Sequence, residues 1–201
     1  MTNTTPARRP IAMSILFIVT GLIGLWASFQ LVLERFQLIE APGEALGCDI
    51  NPFVACSTVI QSAQGSVFGF PNPLLGVMGF VAPIAVGVAL LARARFDRWF
   101  WIFFNAGLVF AIVFIHWLMT QTVYVIGTLC PYCLVVWTVT IPLFWYGTVW
   151  NLAKNFGLTG SAQRFFQGLL KWTWIIVLVD YAIILLIIYV NFPLLPTLLF
   201  R

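Results

Sequence analysis

The 201-residue chain is 62% hydrophobic and 8% charged, with 10 Lys and Arg against 6 Asp and Glu. Soluble domains carry about a quarter charged residues, so this composition excludes one and selects an integral membrane protein. The net charge of +4 is accounted for by membrane topology and anionic lipid and calls for no nucleic acid.

Only helices or closed barrels satisfy the backbone in lipid, and unbroken apolar runs rather than alternating ones point to helices. Five runs are long enough to cross a hydrocarbon core of about 30 Å: residues 11–33, 74–92, 99–126, 131–150 and 172–192. The expected fold is an all-α membrane protein with one domain over residues 1–201 and no solenoid repeat. Arg8 and Arg9 precede the first run, but its apolar part is too long for a signal peptide and no small-residue cleavage site follows, so it is read as a helix.

The segment 34–73 that follows is the longest connection and holds Cys48 and Cys56. Within it Asn51-Pro52 reads as the cap and first residue of a short helix, on which Phe53, Cys56, Val59 and Ile60 share an apolar face. Residues eight apart on one continuous helix lie about 12 Å apart, whereas a disulfide needs α-carbons within about 7 Å. A helix start between Cys48 and Cys56 therefore permits a bond between them. Asn72-Pro73, after the Phe68-Gly69-Phe70-Pro71 stretch, opens the second run in the same way. His116 lies within the third run and Asp180 midway along the fifth. Polar groups in membrane helices are functional suspects, and His116 has two readings: a proton donor to a bound ligand, or a neutral side chain bonded to a neighbouring helix.

Cys130-Pro131 opens the fourth run as Cys-Pro-Tyr-Cys, with Cys133 nearly a turn deeper. Proline suits the first helical position, which makes Cys130 the cap. A thiolate there meets unpaired amides and the positive end of the helix dipole, which favour thiol exchange.

Positive charge marks the cytoplasmic side. Arg8 and Arg9, then Arg93, Arg95 and Arg98, then Lys154, Arg164 and Lys171 fall on one side, while the first loop carries Arg35 beside Glu34, Glu40, Glu44 and Asp49. The N-terminus is expected in the cytoplasm. The cysteine loop, the turn 127–130 and the C-terminal tail to Arg201 are expected outside. All four cysteines then share a compartment where disulfides persist. Their spacing leaves three uses open: two structural disulfides in a non-catalytic binding module, a redox relay, or a zinc site, for which the interval between Cys48 and Cys56 is unusual.

Taken together, the stretch from Gly47 to Ser62, the stretch from Val67 to Gly76 and the Cys130–Cys133 motif at a helix head resemble the vitamin K epoxide reductase family, especially its bacterial quinone-linked members. The resemblance implies a four-helix transmembrane bundle around a quinone of the menaquinone, phylloquinone or ubiquinone type, with the fifth helix beside it. It implies that a thioredoxin-fold, DsbA-like protein passes electrons to Cys48 and Cys56, that Cys56 exchanges with Cys130, and that Cys133 delivers them to the quinone. That activity would support disulfide formation outside the cytoplasm. Some bacterial members carry a fused thioredoxin-like domain; here the chain ends soon after the fifth run, so a separate partner is expected. On the resemblance, Asn72 bonds a quinone oxygen, although its context also makes it a cap, and Ser62 and His116 are further candidates around the quinone. Ser57 and Ser62 otherwise serve the loop backbone. Animal members have a tyrosine one turn beyond the second cysteine of the motif. Here that position is Trp137, which can pack on a ring and donate one hydrogen bond but offers no phenol.

Overall fold

The computed structural model describes residues 10–43 and 45–193. The expectations resting on Arg8, Arg9, Glu44 and the tail to Arg201 lie outside the described residues. Six α-helices follow one another: α1 (Ile11–Glu40), α2 (Cys56–Gln61), α3 (Asn72–Leu91), α4 (Arg98–Gln121), α5 (Pro131–Lys154) and α6 (Gly160–Asn191). A 3-10 turn, Ala63–Ser66, follows α2, and a π turn, Thr122–Ile126, continues α4. Five of these segments are long and apolar enough to cross a membrane, making this a multi-pass all-helical membrane protein.

The long helices outrun their apolar cores. The first was expected to end near residue 33, yet α1 continues to Glu40; the fifth was expected from residue 172, yet α6 begins at Gly160. Charged residues mark where the hydrocarbon ends, not where the helix does. Helix propensity carries α1 through Glu34 and Arg35 until Pro42-Gly43, and carries α6 through Arg164 and Lys171.

Helices α1 and α3 meet closely because both present small residues. A β-carbon on Gly24 would fall into the Phe80 ring, and one on Gly87 would lie 2.8 Å from the Ser14 carbonyl oxygen. Helix α1 also packs on α5, and α5 on α4 and α6, whereas α3 and α4 hardly touch. The bundle is therefore tight on one side and open on the other. The connections 92–97 and 155–159 and the start of α1 lie at the end opposite the cysteines, so Arg93, Arg95, Arg98, Lys154 and Arg164 gather there.

Helix α6 is held on the bundle by a polar contact within the apolar span. Asp180 lies 3.1 Å from His116 Nε2, and its other oxygen accepts the indole N–H of Trp145 at 2.8 Å. His116 Nδ1 faces the Ile112 carbonyl at 2.9 Å; a carbonyl only accepts, so that nitrogen carries the hydrogen. The next residue, Tyr181, donates to the Thr138 carbonyl of α5. Asp180→Ala would remove the carboxyl group that both His116 and Trp145 contact. It is expected to lower stability in detergent by about 1 kcal/mol, with Asp180→Asn milder; an unchanged thermal unfolding midpoint for Asp180→Ala would show that apolar packing alone docks α6.

Candidate redox site

Two chain segments far apart in sequence pair side by side at the cysteine end of the bundle. Val54 bridges Leu129 in parallel, the Ala55 amide donates to the Leu129 carbonyl at 2.9 Å, and the Leu129 amide donates to the Phe53 carbonyl at 2.8 Å. The Thr128 hydroxyl adds a bond to the Pro52 carbonyl at 3.4 Å. Because the pairing is parallel, both chains leave it in the same direction, and Cys56, two residues beyond Val54, comes beside Cys130, one beyond Leu129. Their sulfurs are 3.6 Å apart, and both residues are buried.

This pairing corrects the expected start of the loop helix. Asn51 does not cap a helix at Pro52. Its side-chain oxygen accepts from the Phe53 amide at 2.9 Å, and the Val54 amide returns to the Asn51 carbonyl, making a tight turn. The chain then runs extended through Ala55, at φ −152° and ψ 139°, to meet Leu129, so α2 begins only at Cys56. The apolar face of α2 is Cys56 and Ile60 with Val59 packed beside them, while Phe53 joins the cluster under Leu129 and Phe192.

The side chain that caps α2 is Asp49. One carboxylate oxygen accepts from the amides of Cys56 at 2.8 Å and Ser57 at 3.1 Å, and the other from the Leu46 amide at 3.1 Å. The carboxylate folds the loop back on itself, and Cys48 and Cys56 form a disulfide with α-carbons 5.7 Å apart. Burial pushes the Asp49 carboxyl upward, but its bonds from Ser57, Leu46 and Cys56 prevail and hold it below the usual aspartate range. From α1, Arg35 ties the end of α2 through a 2.9 Å bond to the Ile60 carbonyl.

Cys130 and Cys133 are free thiols. Cys130 caps α5, its sulfur accepting from the Cys133 amide at 3.4 Å, with Pro131 at the first helical position. Hydrogen bonding from the Cys133 thiol holds the Cys130 thiol below the ordinary range; burial opposes, the amides of Cys133 and Tyr132 assist, and the Asp49 charge opposes.

Cys133 faces inward, onto a cavity of about 510 Å³ in the open side of the bundle. Ser62, Asn72, Thr122, Cys133 and Trp137 line its cysteine end, and it follows α4 down to Phe103, about 28 Å of helix. Asn72 begins α3 without capping it. Its carboxamide instead accepts from the Val67 amide at 3.2 Å and donates to the Gln64 carbonyl at 2.7 Å, which leaves one N–H unused. Ser62 donates to the Val59 carbonyl at 2.7 Å and accepts from the Gly65 amide, closing the turn after α2. Trp137 is buried and lines the cavity, and its indole N–H has no partner among the described residues. His116 is not part of the lining: its imidazole is turned to Asp180 on α6.

Sequence reasoning counted Asp49 and Arg35 only as charges and passed over Thr122 and Leu129. Asp49 lies seven residues before the first residue of α2, so its capping gave no local signal. The pairing of Val54 with Leu129 had none either.

The model of the vitamin K epoxide reductase family matches residues 15–148, from α1 into α5. The chain belongs to the vitamin K epoxide reductase family. Membership makes it a membrane oxidoreductase of disulfide and quinone chemistry. A comparison with curated proteins finds no match. Helix α6 and its Asp180 contact lie outside the matched residues.

Asp49 should govern how readily the loop disulfide is opened. Asp49→Ala leaves three amides without their acceptor and is expected to speed reduction of Cys48–Cys56 by a phosphine at least severalfold. In the native chain the folded-state value lies below that of the unfolded chain, so the carboxylate contribution is complete at neutral pH and fades as pH falls through that lowered value. Phosphine reduction should therefore stay slow from pH 7 to about 4 and accelerate only below the usual aspartate value. Equal rates in wild type and Asp49→Ala would remove Asp49 from this role.

Proposed function

We propose that the protein oxidises a separate thioredoxin-fold, DsbA-like protein outside the cytoplasm and passes the electrons to a membrane quinone. The observation that carries this reading is the 3.6 Å approach of Cys56 and Cys130, with Cys133 on the wall of an apolar cavity. The basic residues at the opposite end of the bundle support an extracytoplasmic placement of the cysteines.

The relay follows from thiol exchange. A partner thiolate attacks the Cys48–Cys56 disulfide, and resolution by the second partner thiol leaves both loop cysteines reduced and the partner oxidised. The Cys56 thiolate then attacks Cys130 in a Cys130–Cys133 disulfide, and Cys133 leaves as thiolate. Cys48 next attacks Cys56 in the Cys56–Cys130 bond, restoring Cys48–Cys56 and freeing Cys130. With the loop pair bonded and the inner pair free, the sequence would end with two electrons held by Cys130 and Cys133. Bonding near the thiolate form suits Cys130 as the group that leaves in this last exchange.

The cavity fits a quinone. It is mostly apolar with a few polar groups at one end, as expected for a ring with a long tail. The free N–H of Asn72 and the indole N–H of Trp137 are donors suited to carbonyl oxygens. When bound, the quinone supplies an acceptor for two electrons and two protons. The gap between α3 and α4 gives its tail a path from the bilayer. Trp137 offers no phenol, and the proposed substrate is the quinone.

Quinone reduction by purified protein, driven either by a reduced thioredoxin-fold donor or by dithiothreitol, tests the reading. Cys48→Ala is expected to lose most activity with the protein donor and keep much of it with dithiothreitol. Cys130→Ala and Cys133→Ala are expected to lose both, and Cys133→Ala to accumulate a Cys56–Cys130 bond detectable by non-reducing digestion and mass spectrometry. Normal quinone reduction by Cys133→Ala, or equal loss with both donors in Cys48→Ala, would return the cysteines to a structural role.

A further inference from the structure

Thr122 occupies the one place where α4 departs from α-helical winding. The five residues Thr122–Ile126 form a π turn, closed by Gly127 at φ 72°, whose amide donates to the Thr122 carbonyl at 3.0 Å. π turns concentrate at functional sites because the extra residue re-aims the side chains around it. Leu118, Thr122 and Ile126, spaced by four, all line the cavity, so Thr122 shares the face that α4 turns toward it. Cys133, Asn72 and Trp137 line the same cysteine end from α5 and α3.

The hydroxyl of Thr122 lacks the backbone bond that most of the membrane threonines make. Thr20, Thr138, Thr140 and Thr173 each donate to the carbonyl four residues back, at 2.6 to 3.0 Å. Thr122 is 3% exposed, and its hydroxyl has no partner among the described residues. Thr148 also lacks one, but its oxygen is sealed inside the protein. Thr122, by contrast, lines the cavity. A hydroxyl without a partner beside an apolar cavity is costly, so it is expected to find one in a ligand.

Its chemistry also differs from that of its neighbours. The unused Asn72 N–H and the Trp137 N–H only donate, and the Asn72 oxygen already accepts from Val67. Quinone carbonyls only accept. After reduction by the Cys130 and Cys133 thiols, which become a disulfide as two electrons and two protons leave them, the same ring oxygens carry hydrogens and must donate. A threonine hydroxyl rotates to serve both states.

Resting on the function proposed above, we propose that Thr122 is a ring-oxygen binding residue that donates to the quinone and accepts from the hydroquinone. Its loss should therefore weaken the reduced form more than the oxidised one. The test uses Cys133→Ala protein in detergent, which holds ligand without turnover, titrated with a short-tailed benzoquinone or naphthoquinone and with the corresponding hydroquinone, with tryptophan fluorescence as readout. Adding Thr122→Val is expected to raise Kd for the quinone about threefold to tenfold and for the hydroquinone by more. Thr122→Ser should restore both to within about twofold. In the protein with all four cysteines, Thr122→Val should raise the KM for quinone. Unchanged Kd values in Thr122→Val, equal loss for both redox forms, or Thr122→Ser binding as weakly as Thr122→Val would overturn the inference. Should the valine variant not fold, Thr122→Ala against Thr122→Ser decides by the same outcomes. If protein with native Thr122 binds neither form, the quinone reading of the cavity falls and this inference with it; intact binding that ignores Thr122 overturns this inference alone.

Discussion

The site depends on a short stretch of backbone pairing between Phe53–Ala55 and Leu129. Two amide–carbonyl bonds of 2.8 and 2.9 Å fix the register in which Cys56 meets Cys130, although the cysteines are 74 residues apart in sequence. Closing such a loop has an entropic cost that grows slowly with length, so a few well-placed bonds on a buried apolar patch can hold it. Leu129 is 1% exposed and Val54 7%, which shields the bonds from water and makes breaking them expensive. Asp49 holds one side of this arrangement and the α5 N-terminus the other. The loop contributes a bonded pair, the helix contributes a thiol with stabilised charge, and the pairing sets the distance between them.

The rest of the bundle divides its work between tight and loose contacts. Small residues on α1 and α3 bring those helices together until a single methyl group would clash, which fixes one wall. The opposite wall is made by α3 and α4, which stay apart, and the space between them becomes the cavity. Glycines mark both regimes. An added β-carbon at Gly21 or Gly87 would strike a neighbouring helix, while one at Gly79 or Gly107, which line the cavity, would meet nothing within 4 Å. Glycine therefore serves close approach on one side of the molecule and open space on the other.

What the sequence disclosed follows from how far each force reaches along the chain. Membrane helices are read from local hydropathy, and each expected run has its helix. Their ends were misplaced for α1 and α6 because hydropathy reports the lipid boundary while helices end at Gly and Pro signals beyond it. Proline at Pro131 identified the start of α5 correctly, because Cys130 does accept from the helix backbone. The same dipeptide logic misjudged Asn51-Pro52, where the carboxamide bonds two residues ahead and the chain turns. Asn72 does open α3, but its side chain ties the preceding loop instead of capping. In each pair of outcomes the local pattern is the same, and a distant contact decides between them. Placing Asp180 beside His116 and Trp145 likewise required the packing of three helices, of which local sequence shows only one at a time.

Asp49 shows how one charge can act on two steps of opposite demand. Its carboxylate caps α2 and stabilises the folded loop, yet its field opposes the Cys130 thiolate across the same small site. A loop disulfide held too firmly would slow attack by a partner, and a Cys130 thiolate stabilised too far would leave readily but attack weakly. The amide bonds to Asp49 favour its charged form, as the depression of its own acidity range indicates. That charge is a lesser influence on Cys130 than the Cys133 thiol and the helix amides. The loop can therefore be closed by a carboxylate without neutralising the advantage that the head of α5 gives its first cysteine.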